Sequence, residues 1–431
     1  MRSLLILLLI ISRPVFSASF TSYFTGDTAD VTTVCLPGTV LMGGATENDN
    51  AMRWFLERAG GGDIVVIRAS GEDGYNDYFF SELGVDINSV ETIVFNNATA
   101  AADPYVIAQI RNAEALWIAG GDQWDYVNYW KDNEIANAIN YLINDKKVTV
   151  GGTSAGCAIQ GEAYFSAENG TVFSDEALED PYNEFMTIGY NDFIQNPVLQ
   201  HVITDTHFNN PDRKGRFITF LGRIATDYGI RTLGIACDEY TAACIDENNI
   251  AHLFGDYPAY EDYIYFAQIN CTGDEKPNVC APGLPLDWSQ NDAVKVAVFG
   301  GTDDGAPTFD LNDWKTATMI STWENWWVEN GEFNSVAEAL PADCVLDVSI
   351  ENNSNIDFTI FPNPAQNIIQ IKGNDFLHIL FLEISDINGR VVFKKEVLQK
   401  GTIDISFLPP SVYVISINNG SSLITKKLLK I

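Results

Sequence analysis

Residues 146–162 read KKVTVGGTSAGCAIQGE. The apolar run at 148–150 ends in Gly151 and Gly152, and a proline-free run follows Ser154. A short β-branched run closing on glycine predicts a strand, and the run after it predicts a helix. Ser154 then sits on the corner between them. Gly152, Thr153, Ala155 and Gly156 are all small, as a sharp strand-to-helix corner requires. Gly-x-Ser-x-Gly is also the pattern that exposes a serine hydroxyl on a strained turn. The segment alone fits either a nucleophile or a plain Gly/Ser corner.

The same texture continues on both sides. GTVLMGG (38–44), GDIVVIRAS (62–70), ETIVFNN (91–97) and ALWIAGGDQ (115–123) read as buried strands. NAMRWFLERAG (50–60) and DPYVIAQIRNA (103–113) read as helices between them. Continuous apolar strands alternating with helices predict an α/β fold, with a parallel sheet covered on both faces. In such sheets the carboxyl ends of the strands carry the site. GGATEND, ASGEDGYND, GGDQWD and GGTSAG all fall there. Farther on, residues 199–224 read as a strand, a polar loop and a helix. RTLGIACDEYTAACID (231–246) reads as a hairpin or strand pair, and VKVAVFGG (294–301) as one more strand. The WENWW cluster at 323–327 reads as core packing rather than a sugar platform.

The chain has 431 residues and a net charge of -33, from 25 basic and 58 acidic side chains. Nucleic-acid binding needs a basic footprint and is excluded. The charge is uneven: residues 353–431 hold eight Lys/Arg against six Asp/Glu, so the acidity belongs to the rest. The N-terminus, with Arg2, the apolar run Leu4–Ile11 and compact residues near Ser17, reads as a secretory signal over 1–17. No later run is long and apolar enough for a transmembrane anchor. Export permits disulfides. Among seven cysteines, Cys271 with Cys280 is the natural pair, and Cys35 with Cys344 a second. Cys157 reads as buried. His201, His207, His252 and His378 are scattered, and no Cys/His group has zinc spacing, so neither metal nor cofactor is expected. From residue 358 the pattern alternates with period two. Asn388-Gly389 and Asn419-Gly420 stand as hairpin turns, which predicts a small antiparallel β-sandwich after the linker 351–357.

A serine attacks only when a base takes its proton and donors hold the oxyanion. The Ala155 N–H is one candidate donor. His207, in TDTHFNN just after an apolar run, is the leading base, ahead of His201 and His252. Asp205, Asp238 and Glu239 are all candidates for the acid that orients it.

The ordered set of GGDQ (120–123), GGTSAG (151–156), DTHF (205–208) and GIACDEYTA (234–242) resembles the cyanophycinase family of serine peptidases, which includes the aspartyl dipeptidase. The resemblance spans about residues 38–250. It implies a flavodoxin-like sheet related to class I glutamine amidotransferases. It implies Ser154 as nucleophile, His207 as base and Glu239 as orienting acid, with Gly121 and Ala155 supplying the oxyanion N–H groups. Gln123, Asp205, Thr206, Arg213 and Arg216 fall on the substrate pocket. Two positions depart from the family pattern: Thr206 stands where the family has Gln, and Pro211 where it has Arg. The implied substrate is a cyanophycin-like or other aspartyl or isoaspartyl peptide. An esterase or amidase, or a silent surface-binding homologue, are the competing readings. FPNP (361–364), DINGRVV (386–392), YVISI (413–417) and the terminal KKLLKI resemble the sorting domain of type IX secretion substrates. The expected organisation is a signal peptide over 1–17, a peptidase domain over 18–350 and a sorting domain over 356–431. The expected partners are a peptide substrate, the type IX machinery and a second copy of the chain. The expected location is outside the cell or on its surface.

Overall fold

Val65 and Ile67 face one way along their strand and Ile64 and Val66 the other, yet all four are almost fully buried. Leu116 and Ile118 alternate in the same way with Ala115 and Trp117. Both faces of the sheet are therefore covered, which is why these strands read as unbroken apolar runs. The computed structural model describes residues 18–272, 275–342, 344, 358–373, 380–385, 391–397, 402–418 and 423–431. The chain divides into two units, Met1–Val345 and Leu346–Ile431.

In the first unit one sheet has a parallel centre. Its spatial order is β4 (Ser89–Phe95), β3 (Asp63–Arg68), β5 (Ala115–Ile118), β6 (Thr149–Thr153) and β2 (Gly38–Met42). Counted from β3, the first four run 2-1-3-4, the flavodoxin-like order. β1 (Phe20–Gly26) closes one edge antiparallel to β4. Beyond β2 the sheet continues antiparallel through β11 (Ala242–Ile245), β12 (Ile250–Phe254), β15 (Thr308–Asp310) and β16 (Ala317–Thr318). Helices Pro104–Asn112, Gln123–Trp130 and Glu134–Tyr141 bury Val106, Ile110, Trp130, Ile135 and Ile139 on one face. Helix Asp49–Glu57, capped by the Asn48 side chain, buries Met52, Phe55 and Leu56 on the other.

A second, mostly antiparallel sheet was not expected. Its spatial order begins with β18 (Glu332–Ala337), β17 (Thr322–Glu329), β14 (Val294–Gly300) and β13 (Tyr263–Ile269). It ends with β10 (Leu233–Cys237), β9 (Val202–Asp205), β7 (Ala163–Phe165) and β8 (Ile188–Tyr190). Helix Lys214–Tyr228 packs Phe217, Phe220, Leu221 and Ile224 into its core. Trp323 and Trp326 are buried, as the core-packing reading of that cluster requires.

Two expectations change. Residues 231–246 are not a hairpin. β10 pairs with β9 and β13, whereas β11 pairs with β2 and β12 of the other sheet. Both strands are fully buried, so each has neighbours of its own. The disulfide joins Cys271 to Cys344, with Cα atoms 5.7 Å apart, and Cys35 and Cys280 are free thiols. Cys157 is buried, as expected.

The second unit holds two antiparallel sheets. One is β19 (Phe358–Phe361), β20 (Ile368–Gly373) and β23 (Thr402–Asp404). The other is β22 (Val391–Val397), β21 (Leu380–Ser385), β24 (Ser411–Asn418) and β25 (Leu423–Lys430). Ile369, Leu382, Ile384, Ile403, Ile415 and Leu428 share one core between them, the arrangement of a sandwich. The predicted turns at 388–389 and 419–420, the linker and the signal segment lie outside the described residues.

Candidate active site

β6 ends at Thr153, and the helix Ala155–Ala158 begins one residue later. Ser154 makes that corner alone, with φ 53° and ψ -118°. A positive φ on a non-glycine residue is strained and usually marks a constraint worth explaining. The corner closes because its glycines let backbones touch. A Cβ on Gly156 would lie 2.0 Å from the Ile118 carbonyl oxygen, and one on Gly152 would lie 2.6 Å from Gly156. The Ser154 N–H donates to the Met42 carbonyl at 3.1 Å, tying the corner to the end of β2.

Three strand ends converge there. His207 follows β9, with φ 46°, and its N–H donates to the Gly43 carbonyl at 2.7 Å. Glu239 lies in the short turn where the chain leaves β10 in one sheet and enters β11 in the other. The seam between the two sheets thus carries the carboxylate. His207 Nε2 lies 2.8 Å from Ser154 Oγ, and His207 Nδ1 lies 2.7 Å from Glu239 Oε1. An ionised carboxylate only accepts, so Nδ1 carries the proton and Nε2 is free to accept from the serine hydroxyl. Partial burial raises the Glu239 carboxyl. Hydrogen bonds from His207 and Asn210, with the charge of Arg213, outweigh that and hold it below the usual carboxylate range. His207 is about a quarter exposed and Glu239 somewhat less, so the chain of contacts opens to solvent.

The other candidates are engaged elsewhere. His201 lies 3.2 Å from Glu162, and His252 lies 3.6 Å from Asp246. Asp205 takes a two-pronged bond from Arg216, Nε to Oδ2 at 2.9 Å and Nη2 to Oδ1 at 2.5 Å. Arg216 Nη1 reaches Thr171 Oγ1 at 3.2 Å and the Val172 carbonyl at 3.3 Å. Asp205, Thr206 and Arg216 are each 2% exposed. All three side chains are closed off from solvent, and Asp205 and Thr206 immediately precede His207 in the chain. Arg213 is different. It is half-buried, and Nη1 donates to the Thr206 carbonyl at 2.9 Å. Burial and the charge of Arg216 lower it to about 10, against the pull of Asp205 and Glu239.

Gly121 is exposed at the end of the loop after β5, and Tyr126 holds that loop by reaching the Ala119 and Gly120 carbonyls at 2.9 and 3.0 Å. The Ala155 N–H opens its helix and has no partner within it. Gln123, half-buried, donates from Nε2 to the Phe165 carbonyl at 2.7 Å. Sequence reasoning missed Asn209 and Asn210. The Glu239 N–H donates to Asn209 Oδ1 at 3.2 Å, and Asn210 Nδ2 donates to Glu239 Oε2 at 3.3 Å. Two adjacent amides directly after a histidine were the available signal. Among the described residues no group of three or more His, Cys, Asp or Glu is arranged to hold a metal ion, and no helix is long and apolar enough to cross a membrane.

Residues 73–252 match Peptidase family S51, and residues 359–431 match the secretion system C-terminal sorting domain. A cyanophycinase from Synechococcus elongatus is 24% identical over 209 residues, 47% of this chain and 59% of its own. The cyanophycinase of Geminocystis herdmanii is 26% identical over 232 residues, 51% of this chain and 78% of its own. This chain therefore spans less than two thirds of the first relative's length. A peptidase from an acI-B1 actinobacterium, known as a crystal structure, overlaps 52% of this chain and 89% of its own at 12% identity and a TM-score of 0.36. The likeness to cyanophycinases and to secretion sorting domains holds.

Proposed function

We propose that this chain is an exported serine-type peptidase that cleaves cyanophycin-like or other aspartyl or isoaspartyl peptides. One observation carries the reading: the unbroken line Ser154 Oγ, His207 Nε2, His207 Nδ1, Glu239 Oε1, with links of 2.8 and 2.7 Å. Catalysis of this kind needs that geometry before it needs anything else. Ser154 Oγ attacks the scissile carbonyl as Nε2 takes its proton. Glu239 keeps Nδ1 protonated and stabilises the imidazolium. The oxyanion accepts from the Gly121 and Ala155 N–H groups. His207 then gives its proton to the leaving amine. Water, activated by the same ring, hydrolyses the acyl-enzyme and restores Ser154.

Arg213 is the charged group left to meet a substrate carboxylate. Gln123 lines the same crevice, and Asp205, Thr206 and Arg216 support it. Thr206 and Pro211 leave the pocket without the family's Gln and its first Arg, so specificity differs from cyanophycinase in degree. We read residues 1–17 as the export signal, 18–350 as the peptidase domain and 356–431 as a type IX sorting domain that delivers it to the cell surface or beyond.

The test is hydrolysis of cyanophycin, β-aspartyl-arginine and isoaspartyl peptides by the wild type beside Ser154→Ala, with fluorophosphonate labelling of both. Turnover of at least one substrate and labelling of the wild type alone are expected. An inert, unlabelled wild type sinks the proposal, and turnover of short acyl esters alone redirects it to an esterase.

A further inference from the structure

Asp238 precedes Glu239 in the turn between the two sheets, and the reaction above leaves it without a task. It is 1% exposed. Its N–H donates to the Tyr263 carbonyl at 3.0 Å, and its Oδ2 accepts the Tyr263 N–H at 2.7 Å. Its carbonyl accepts from the Thr241 N–H at 3.3 Å and from the Thr241 hydroxyl at 2.9 Å. A Cβ on Gly43 would stand 1.9 Å from that carbonyl oxygen, so the loop after β2 is moulded to it as well. Oδ1, by contrast, is buried with no partner. A buried unpaired acceptor is costly, and a buried unpaired charge far more so.

Resting on the Ser154–His207–Glu239 reading, we propose that Asp238 is a positioning residue for Glu239. Its carboxyl and its own N–H fasten the end of β10 to β13, and so set where the Glu239 carboxylate meets His207 Nδ1. The clamp favours the neutral acid. Burial pushes Asp238 up to about 7; the Tyr263 N–H and Lys214 oppose this, and Asp262 and Asp212 reinforce it. The remaining titratable groups facing it are Cys237 beneath, Glu239 beside it, and Tyr263 and Tyr265 on β13. Ionisation would leave Oδ1 charged, dry and beside Asp262. Asparagine is the isostere of the neutral form: its oxygen keeps the Tyr263 N–H, and it cannot ionise.

The experiment is the rate of fluorophosphonate labelling of Ser154 in the full chain, from about pH 6 to about pH 9, a span that brackets the transition. Wild type, Asp238→Asn and Asp238→Ala are compared, each also in a Glu239→Gln background, with thermal melts alongside. Asp238→Ala should label about tenfold more slowly when Glu239 is intact, and show no further loss beside Glu239→Gln. Asp238→Asn should match wild type at the acid end and exceed it several-fold at the alkaline end. An Asp238→Ala rate equal to wild type overturns the assignment, and so does an equal loss in both backgrounds. Should Asp238→Ala fail to fold, superimposable profiles for Asp238→Asn and wild type overturn it. A wild type unlabelled at Ser154 overturns the peptidase reading itself, and this one with it.

Discussion

Gly44 lies directly against the ring of His207. A Cβ built on Gly44 would stand 2.4 Å from His207 Cε1 and 2.5 Å from Nε2, the atom that faces Ser154. Gly44 also has φ +111°, a conformation L side chains rarely adopt. Its carbonyl accepts the N–H of Tyr240, the residue after Glu239. One glycine therefore touches the histidine and braces the turn that carries its carboxylate.

Gly44→Ala should push the imidazole away from Ser154. Displacing a catalytic group by about 1 Å can cost about 100-fold in rate. We expect a loss of that order in kcat or in Ser154 labelling, with Trp fluorescence of the fold little changed. A variant within twofold of wild type would show that the ring has room to yield.

Glu239→Gln tests the tautomer argument. Glutamine has the size of glutamate, but its amide can donate to Nδ1 and turn the proton toward Nε2. The expected loss is about 10³- to 10⁴-fold in kcat at neutral pH, with KM little moved. A loss below tenfold would mean that Glu239 only packs against the ring.

The parallel sheet was legible because both of its faces are covered, which makes each strand an unbroken apolar word. The serine corner was legible because Gly152 and Gly156 have no alternative at such close backbone contact. The separation of β10 from β11 was not. A strand pair joined by four residues looks the same whether it folds back on itself or parts between two sheets, and only β2, β12 and β13 decide. Burial of Arg216 was hidden for a like reason. Arginines at 213 and 216 look equivalent on a helix start, and of the two aromatic rings against Arg216, Phe220 is one turn along the same helix but Phe165 comes from distant sequence. Cys344 lies 73 residues from Cys271, and no local pattern announces that pairing.

Stability should fall as pH rises toward neutrality. Asp238 in the fold titrates near 7, whereas unfolded aspartate titrates near 3.9. Between those values the native state binds more protons than the unfolded chain, so unfolding becomes easier with rising pH and levels off above the native value. Glu239 runs the other way. Its lowered pKa supports the fold above the ordinary carboxyl range, and that support is lost in acid. Urea midpoints at about pH 5 and about pH 8 test this. All nine tryptophans precede residue 345, so their fluorescence reports the first unit alone. Asp238→Asn should shrink the difference between the two midpoints, and an unchanged difference would assign it to other groups.

The Asp205–Arg216 pair offers the sharpest energetic test, because burial fixes its sign. Both side chains are about 2–3% exposed, and the carboxylate also accepts the Thr206 N–H at 2.8 Å. Arg216→Met leaves Asp205 as an uncompensated buried charge, at a cost of about 3–5 kcal/mol. Adding Asp205→Leu removes that charge, so the double variant should be more stable than Arg216→Met alone. Such recovery is the mark of a desolvated pair rather than a strong one. It will be incomplete, because Arg216 also holds Thr171 and Val172. Activity should not recover with stability. Asp205 and Thr206 lead directly into His207, and a leucine cannot accept the N–H that shapes that step. Urea denaturation followed by Trp fluorescence gives the first quantity and Ser154 labelling the second. Additive destabilisation in the double variant would show that each side chain acts through packing alone.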